Sequence, residues 1–290
     1  MMIFKTVKKW HFPPLDIDRK RLQEAAINLF DELPSRKSVK KGILAGDIFV
    51  NSKKANTSTW VEIGDEISLK IDKIPVGKIA LNDQVIYDDA HMCITLKKAG
   101  LVTSGNINHT LELNLLKELN INASDKSKVD FGAAHRLDKD THGLVIFYKS
   151  KSTAKRLGEM FKKHEIDKEY FALVHGNVGI KKFEIKTTIS KKNAHTIFEK
   201  ISTSDLPYIG AVSLLKAKPI TGRKHQIRIH CKSIGHQIVG DKLYTGDVIY
   251  KGHGMFLACS KLEFNHPITG EPFSISTPLP RKFRKLAIKF

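Results

Sequence analysis

Residues 133–147 read AAHRLDKDTHGLVIF. Arg136, Asp138 and Asp140, interleaved with Lys139, run directly into Gly143-Leu144-Val145-Ile146-Phe147. A short, nearly continuous apolar run of this kind reads as a buried central strand. The question is why a chain sets a dense charge cluster at the mouth of its own core. If His135 to Asp138 is extended, Arg136 and Asp138 face one way and His135 and Leu137 the other. A cation beside such a carboxylate keeps it ionised against the desolvation that would protonate it. An ionised Asp in a dry cleft can act as nucleophile or general base. A structural ion pair at a strand entrance is the alternative reading of the same residues.

Outward from this stretch, the charge balance is the strongest bulk signal. The 290 residues carry 49 Lys and Arg against 30 Asp and Glu, a formal net charge of +19. So positive a surface favours a polyanionic partner, with phosphate the usual charge. An anionic membrane surface competes, but there is no long amphipathic basic helix and no lipidation motif. No stretch is long enough to span a bilayer, and the opening MMIFKTVKKWHFPP lacks a signal-peptide apolar core. Cys93, Cys231 and Cys259 are odd in number and far apart, which suits a reduced, cytoplasmic compartment. His225, His230 and His236 lie close together without the spacing of a structural zinc site, so no metal is expected.

A boundary is expected near Ile74-Pro75-Val76-Gly77, giving a small piece, 1–75, and a larger one, 76–290. Their net charges are +4 and +15, so most of the positive excess lies in the larger piece. In the small piece, DIDRKRLQEAAINLFDEL predicts an amphipathic helix behind an Asp16 or Asp18 cap, with Leu22, Ala25, Ala26 and Leu29 on one face. SRKSVKKGILAGD predicts a second helix capped by Ser35, with Arg36, Lys37, Lys40 and Lys41 along its polar side. Residues 47–51 predict a strand, SKKA a turn, and VEIGDEISLKI a closing strand pair around Gly64-Asp65.

In the larger piece strand and helix signals alternate. HMCITLKKAG predicts a strand and turn, TLELNLLKELN a helix, and STAKRLGEMFKKH a helix capped by Ser152. KEYFALVHG alternates as a strand, with Tyr170 and Ala172 on one face. TGRKHQIRIH is also read as a strand, placing Gln226, Arg228 and His230 on its working face and Ile227, Ile229 and Cys231 on the core face. Together these predict an α+β domain with a mixed, mainly antiparallel sheet. There is no Walker phosphate loop, GxGxxG, GxSxG or HExxH, so nucleotide, nicotinamide, serine-hydrolase and zinc-protease chemistry have no local support.

Four ordered motifs carry a family resemblance across roughly residues 76 to 281. They are HRLDKDTHG, DKEYFALVHG, TGRKHQIRIHCKSIGHQIVGDKLY and FNHPITGEPFSISTPLP. In this order they resemble the RluA-type pseudouridine synthases. The segment SRKSVKKGILAGDIFVNSKKANTSTWVEIGDEISL is similar to the small RNA-binding domain named after ribosomal small-subunit protein four. Three places depart from the family pattern: Thr141-His142-Gly143 for Thr-Ser-Gly, Lys97-Lys98-Ala99-Gly100 for Lys-Pro-x-Gly, and MFLACSKLEF where Leu-His-Ala is frequent.

The resemblance implies the pseudouridine synthase fold and isomerisation of uridine in ribosomal or transfer RNA. It implies catalytic roles for Asp138, for Tyr170 stacking on the base and moving a proton, and for Arg228 pairing with the Asp. It assigns Arg136 to the gap left by the target base, and His135, Thr141, Arg223 and Gln226 to substrate binding. In the small piece it implies RNA contacts from Arg36, Lys37, Lys40 and Lys41. No metal or organic cofactor, no membrane and no protein partner are implied, and nothing demands more than a monomer. Two rival readings remain: an RNA-binding protein of the same shape impaired by His142, and a hydrolase using Asp138 with a histidine.

Overall fold

In the computed structural model, helices and strands together supply the buried core near the start of the chain. The residues described are 4–11, 19–30, 32–73, 84–106, 109–207, 209–244, 250, 252 and 254–285. The chain forms two compact units, 1–75 and 76–290. The residues expected to mark the boundary, 74–77, lie outside the described ones.

The N-terminal unit contains β1 (Phe4–His11), β2 (Arg19–Arg21), α1 (Leu22–Ala25), α2 (Arg36–Ala45), β3 (Ile48–Val50), β4 (Lys53–Lys54), β5 (Trp60–Glu62) and β6 (Glu66–Lys73). One sheet has the order β1-β6-β3-β4, and β2 pairs separately with β5. Leu22, Val39, Ile43, Ile48, Val61 and Ile67 form the core. Ser35 caps α2 in a reciprocal capping box with Ser38, as the sequence suggested, and Val39 and Ile43 are its buried face.

Three elements of this unit differ from the sequence pattern. Of the helix expected over 16–33, the described residues form a strand at 19–21, one helical turn at 22–25 and turns after it. Residues 19–21 are drawn into pairing with 60–62, and Asn28 adopts a positive φ of 61° that ends helical continuation. The proposed Asp16 and Asp18 caps lie outside the described residues. The strands around Gly64-Asp65 exist, but they do not pair with each other: β5 joins β2, while β6 joins β1 and β3. The expected SKKA turn lies one residue earlier, at Asn51-Ser52, where both residues take positive φ and Lys53-Lys54 already pair.

The C-terminal unit adds β7 (Val85–Asp88), β8 (Met92–Lys97), α3 (Leu111–Glu118), β9 (Gly132–Ala133), β10 (His142–Tyr148), α4 (Lys151–Lys162), β11 (Asp167–His175), β12 (Lys182–Ile189), β13 (Lys192–Leu206), β14 (Gly210–Pro219), α5 (Gln226–Ser233), β15 (Leu257–Asn265), β16 (Pro272–Ser276) and α6 (Arg281–Lys285). Ten strands make one sheet with the main order β12-β13-β14-β11-β15-β10-β8-β7. All its described ladders are antiparallel except β10 with β15. The class is therefore α+β with a mixed, mainly antiparallel sheet. Leu144, Val145, Ile146 and Phe147 of β10 are fully buried, which is why this strand reads as continuously apolar.

The segment expected to be a strand at TGRKHQIRIH is the helix α5. Gln226, Ile227, Arg228, His230 and Cys231 are its buried residues. The 227-230-231 spacing is helical, and Ile229 stays partly exposed, so the Ile-x-Ile-x-Cys alternation misleads. His225 sets the entry, with φ 57° at the N-cap. Likewise α4 is capped by Ser150 rather than Ser152, the Ser150 hydroxyl accepting from the Thr153 N–H. Residues 134–141 lie in a loop outside any regular element, and within it Arg136 is exposed, Leu137 buried and Asp138 half-buried, the alternation expected of 136–138.

Gly143 sits where β10 meets β15. Its φ is 131°, and a Cβ there would lie 2.2 Å from the Cys259 carbonyl oxygen. No side chain fits between those backbones. Gly143→Ala is expected to destabilise the fold by about 3 kcal/mol, read as a lower midpoint in urea unfolding.

Candidate active site

A loop that must hold a carboxylate still needs anchors on both sides of it, and the Asp138 loop has several. Before it, the Leu137 N–H donates to Thr103 Oγ1, whose hydroxyl donates back to the Leu137 carbonyl, both at 3.2 Å. After it, the Lys139 carbonyl accepts from Lys97 Nζ (2.9 Å) and from the Gly100 N–H (2.9 Å). The Thr141 N–H closes a turn onto the Asp138 carbonyl at 3.1 Å. Lys97 is fully buried and also donates to the Leu101 and Lys98 carbonyls. Burial pushes its ammonium down to about 8, with Asp140 and Asp138 working the other way.

This loop borders a cleft of about 800 Å3 whose walls include Asp138, Tyr170, Arg228 and Asp241. Asp138 Oδ2 accepts from Arg228 Nη1 at 3.2 Å, and its side chain is 25% exposed, so one edge opens on the cleft. Arg228 comes from α5 rather than from a strand. Its other edge is held by Asp241, with Nε to Oδ2 at 2.7 Å and Nη2 to Oδ1 at 2.8 Å. This is a bidentate fork, the strongest geometry available to a guanidinium. Asp241 Oδ1 also accepts from the Leu243 and Tyr244 N–H groups. Burial pushes the Asp241 carboxyl up, but these bonds outweigh it and hold it below its ordinary value. The Tyr244 ring lies 5.0 Å from the guanidinium carbon.

His225 approaches from the start of α5, with Nε2 3.7 Å from Asp138 Oδ1 and Nδ1 3.0 Å from the Tyr244 hydroxyl. Burial lowers its pKa, partly opposed by Asp138. Tyr170, on β11, is buried and stands opposite Cys259 of β15 in the sheet register. Burial, then Cys259 and Asp138, raise the Tyr170 hydroxyl well above its ordinary value, so it is neutral at physiological pH. The group therefore combines an anchored carboxylate, a fixed guanidinium and a protonated phenol around one opening. Such a set can attack or deprotonate a ring bound in the cleft and return a proton to it.

The remaining expected site residues separate in position. Arg136 is exposed and borders the cleft. His135 also lines it, but its Nε2 accepts the Ile146 N–H at 3.2 Å, and burial with Lys168 pushes its pKa down to about 3. Thr141 is buried against the cleft floor. Arg223 lines the cleft and donates Nε–H to the Asn193 carbonyl.

Gln226 also lines the cleft, with its amide engaged inside the protein. Its Oε1 accepts from the Thr221 hydroxyl and the Arg223 N–H, and its Nε2 donates to the His195 carbonyl and Thr196 Oγ1. Both donors and both acceptor sites of the amide are thus used within the protein. His142 lines an adjoining cavity of about 460 Å3 beside Pro280 and Lys282, with Asp140 bordering both it and the Asp138 cleft. Asp241, His225, Tyr244 and Lys97 were not singled out by sequence. The signals were present in Gly240-Asp241 and Tyr244, and in His225 beside Gln226, but only folding brings them to Arg228 and Asp138.

In the N-terminal unit, Arg36, Lys37, Lys40 and Lys41 are all exposed on α2, with Arg36 3.7 Å from Glu24. Among the described residues, no three His, Cys, Asp or Glu side chains cluster as a metal site. No helix among them is long and apolar enough to cross a membrane.

Residues 91–233 match the family model described as RNA pseudouridylate synthase. An "Uncharacterized RNA pseudouridine synthase" of Chlorobaculum parvum is 31% identical, with 92% of this chain and 91% of that protein aligned. The "Ribosomal large subunit pseudouridine synthase C" of Rickettsia bellii is 30% identical over 86% of this chain and 91% of its own length. The "Ribosomal large subunit pseudouridine synthase D" of Buchnera aphidicola is 30% identical over 95% and 96%. Among solved structures, "Human RNA Pseudouridylate Synthase Domain Containing 1" shares the fold with a TM-score of 0.56 at 24% identity, covering 69% of this chain and 84% of that one. With a relative above 30% identity aligned along nearly all of both chains, this protein belongs to the RNA pseudouridine synthase family of isomerases.

Proposed function

We propose that this chain isomerises uridine in structured ribosomal RNA, with Asp138 as the catalytic carboxylate. The observation that carries the reading is the 3.2 Å contact between Asp138 and Arg228 at a cleft large enough for an everted nucleotide. In the reaction the C1′–N1 bond breaks, the base turns, and C1′ bonds to C5. The C5 proton leaves and a proton returns to N1, so substrate and product have the same composition. Asp138 supplies the carboxylate. Arg228 fixes its orientation, and Tyr170 stacks on the base and exchanges a proton with it. Arg136 on the cleft border is suited to fill the stack the base vacates.

Everting a nucleotide costs a few kcal/mol. Contacts from a +19 chain to phosphates offset that cost. The exposed α2 residues Arg36, Lys37, Lys40 and Lys41 are the proposed phosphate contacts of the N-terminal unit, acting as a small RNA-binding domain. Relatives named for the ribosomal large subunit favour ribosomal over transfer RNA. Three free, buried cysteines suit a reducing cytoplasm. The reading of a catalytically impaired binder rested on His142, which lines the adjoining cavity.

Asp138→Asn is expected to abolish tritium release from RNA labelled at uridine carbon 5 while RNA affinity stays near wild type. Turnover at the wild-type rate by this variant would overturn the assignment. Asp241→Ala leaves the Arg228 guanidinium without its buried fork and is expected to cost about 3–5 kcal/mol of stability, measured by urea unfolding, with a fall in turnover at temperatures where the variant stays folded. Log affinity for RNA is expected to fall with log salt by about 0.7 to 0.9 per phosphate contacted. A flat response in a binding titration from low to high salt would rule out phosphate contacts as its source.

A further inference from the structure

The small β2–β5 sheet of the N-terminal unit presents an aromatic residue to solvent beside two cations of the neighbouring strand. Alternate residues of a strand share a face. Val61 points inward and is fully buried, while Trp60 and Glu62 point outward. Arg21 stands directly opposite Trp60, and Arg19 opposite Glu62. The guanidinium carbons of Arg19 and Arg21 lie 4.9 and 4.5 Å from the indole centroid. Arg21 Nη1 donates to the Ser58 carbonyl at 3.3 Å, and Arg19 Nε lies 3.6 Å from a Glu62 carboxylate oxygen. Each guanidinium carries five N–H donors, so these contacts orient it without exhausting it.

Trp60 is nonetheless 40% exposed. A large apolar ring left in water forgoes the gain of burial, and a partly exposed aromatic beside two cations fits a planar, anionic ligand. We propose that Trp60, flanked by Arg19 and Arg21, is a stacking site for an unpaired RNA base, whose adjacent phosphates the two guanidinium groups take. A purely apolar partner would have to desolvate both arginines, whereas a nucleotide satisfies ring and cations together. Stacking on an indole tolerates every base, so the site grips single-stranded RNA without reading its sequence. The ledge is distinct from the charges of α2, although both belong to one unit: Arg21 leads directly into α1, whose Glu24 pairs with Arg36. The proposal rests on the reading that this chain acts on RNA.

The sequence has two tryptophans, Trp10 and Trp60, so the full-length Trp10→Phe variant reports Trp60 alone. It is titrated by fluorescence with a single-stranded RNA of about ten nucleotides, and separately with polyglutamate as a protein-like polyanion. The expected result is saturable quenching by RNA and weak quenching by polyglutamate. Trp60→Ala is expected to weaken single-strand binding roughly 5- to 50-fold, Trp60→Phe much less, with urea unfolding of both verifying the fold. Arg19→Ala and Arg21→Ala are expected to weaken binding and lower its salt dependence. Unchanged affinity in Trp60→Ala, with tritium release from labelled RNA intact, overturns the ledge and leaves the catalytic reading standing. Equal quenching by polyglutamate also overturns it. Absence of RNA binding by the wild-type chain overturns both.

Discussion

The buried fork between Arg228 and Asp241 is the interaction on which the site depends. A carboxylate alone does not define a catalytic position; its partner must be fixed as well. Arg228 could reach Asp138 in many rotamers if its side chain were free. Asp241 removes that freedom by holding two of its nitrogens, and the Leu243 and Tyr244 N–H groups in turn hold Asp241. One nitrogen is left directed at Asp138. The result is a relay of fixed geometry from backbone to carboxylate to guanidinium to the carboxylate at the opening. Burial makes each link stronger, because a group withdrawn from water has few competing partners.

The charge cluster at 136–140 has a related cause. Its polar groups surround a loop, and the loop is pinned from beneath by a buried ammonium rather than by a strand ladder. Lys97 supplies three donors to three carbonyls of two neighbouring turns. That allows a carboxylate to stand beside an apolar strand without the strand extending into it. The strand itself is fixed by the close approach of β10 and β15 at Gly143.

Much of this was legible in the sequence because local signals and tertiary needs agreed. The apolar run 143–147 and the Ser35 cap formed as their patterns indicated, and β11 formed as a strand, although Ala172, Leu173 and Val174 are all buried because it lies inside the sheet. The failures share one origin. In QIRIHC, alternation and helical spacing coexist over six residues, and the His225 backbone conformation decides between them. In 16–33, a helical pattern lost to pairing with a strand some forty residues later. Asp241 shows the limit for sites: its position in a Gly-Asp-x-x-Tyr string was visible, but its role exists only through a fold that brings it against Arg228. Gln226 shows the reverse, a polar residue in a conspicuous motif whose hydrogen bonds are all internal.

Thr141 and His142 are neighbours in one motif, yet they serve different compartments. Thr141 lines the Asp138 cleft, and His142 lines the cavity beside Lys282. Thr141 closes the turn that ends the Asp138 loop, His142 opens β10, and Asp140 borders both openings. Contiguity along a chain is therefore a poor guide to shared duty. The surroundings of the imidazole at position 142 are thus set by Pro280 and Lys282, more than a hundred residues further along the chain, rather than by the groups that meet Asp138.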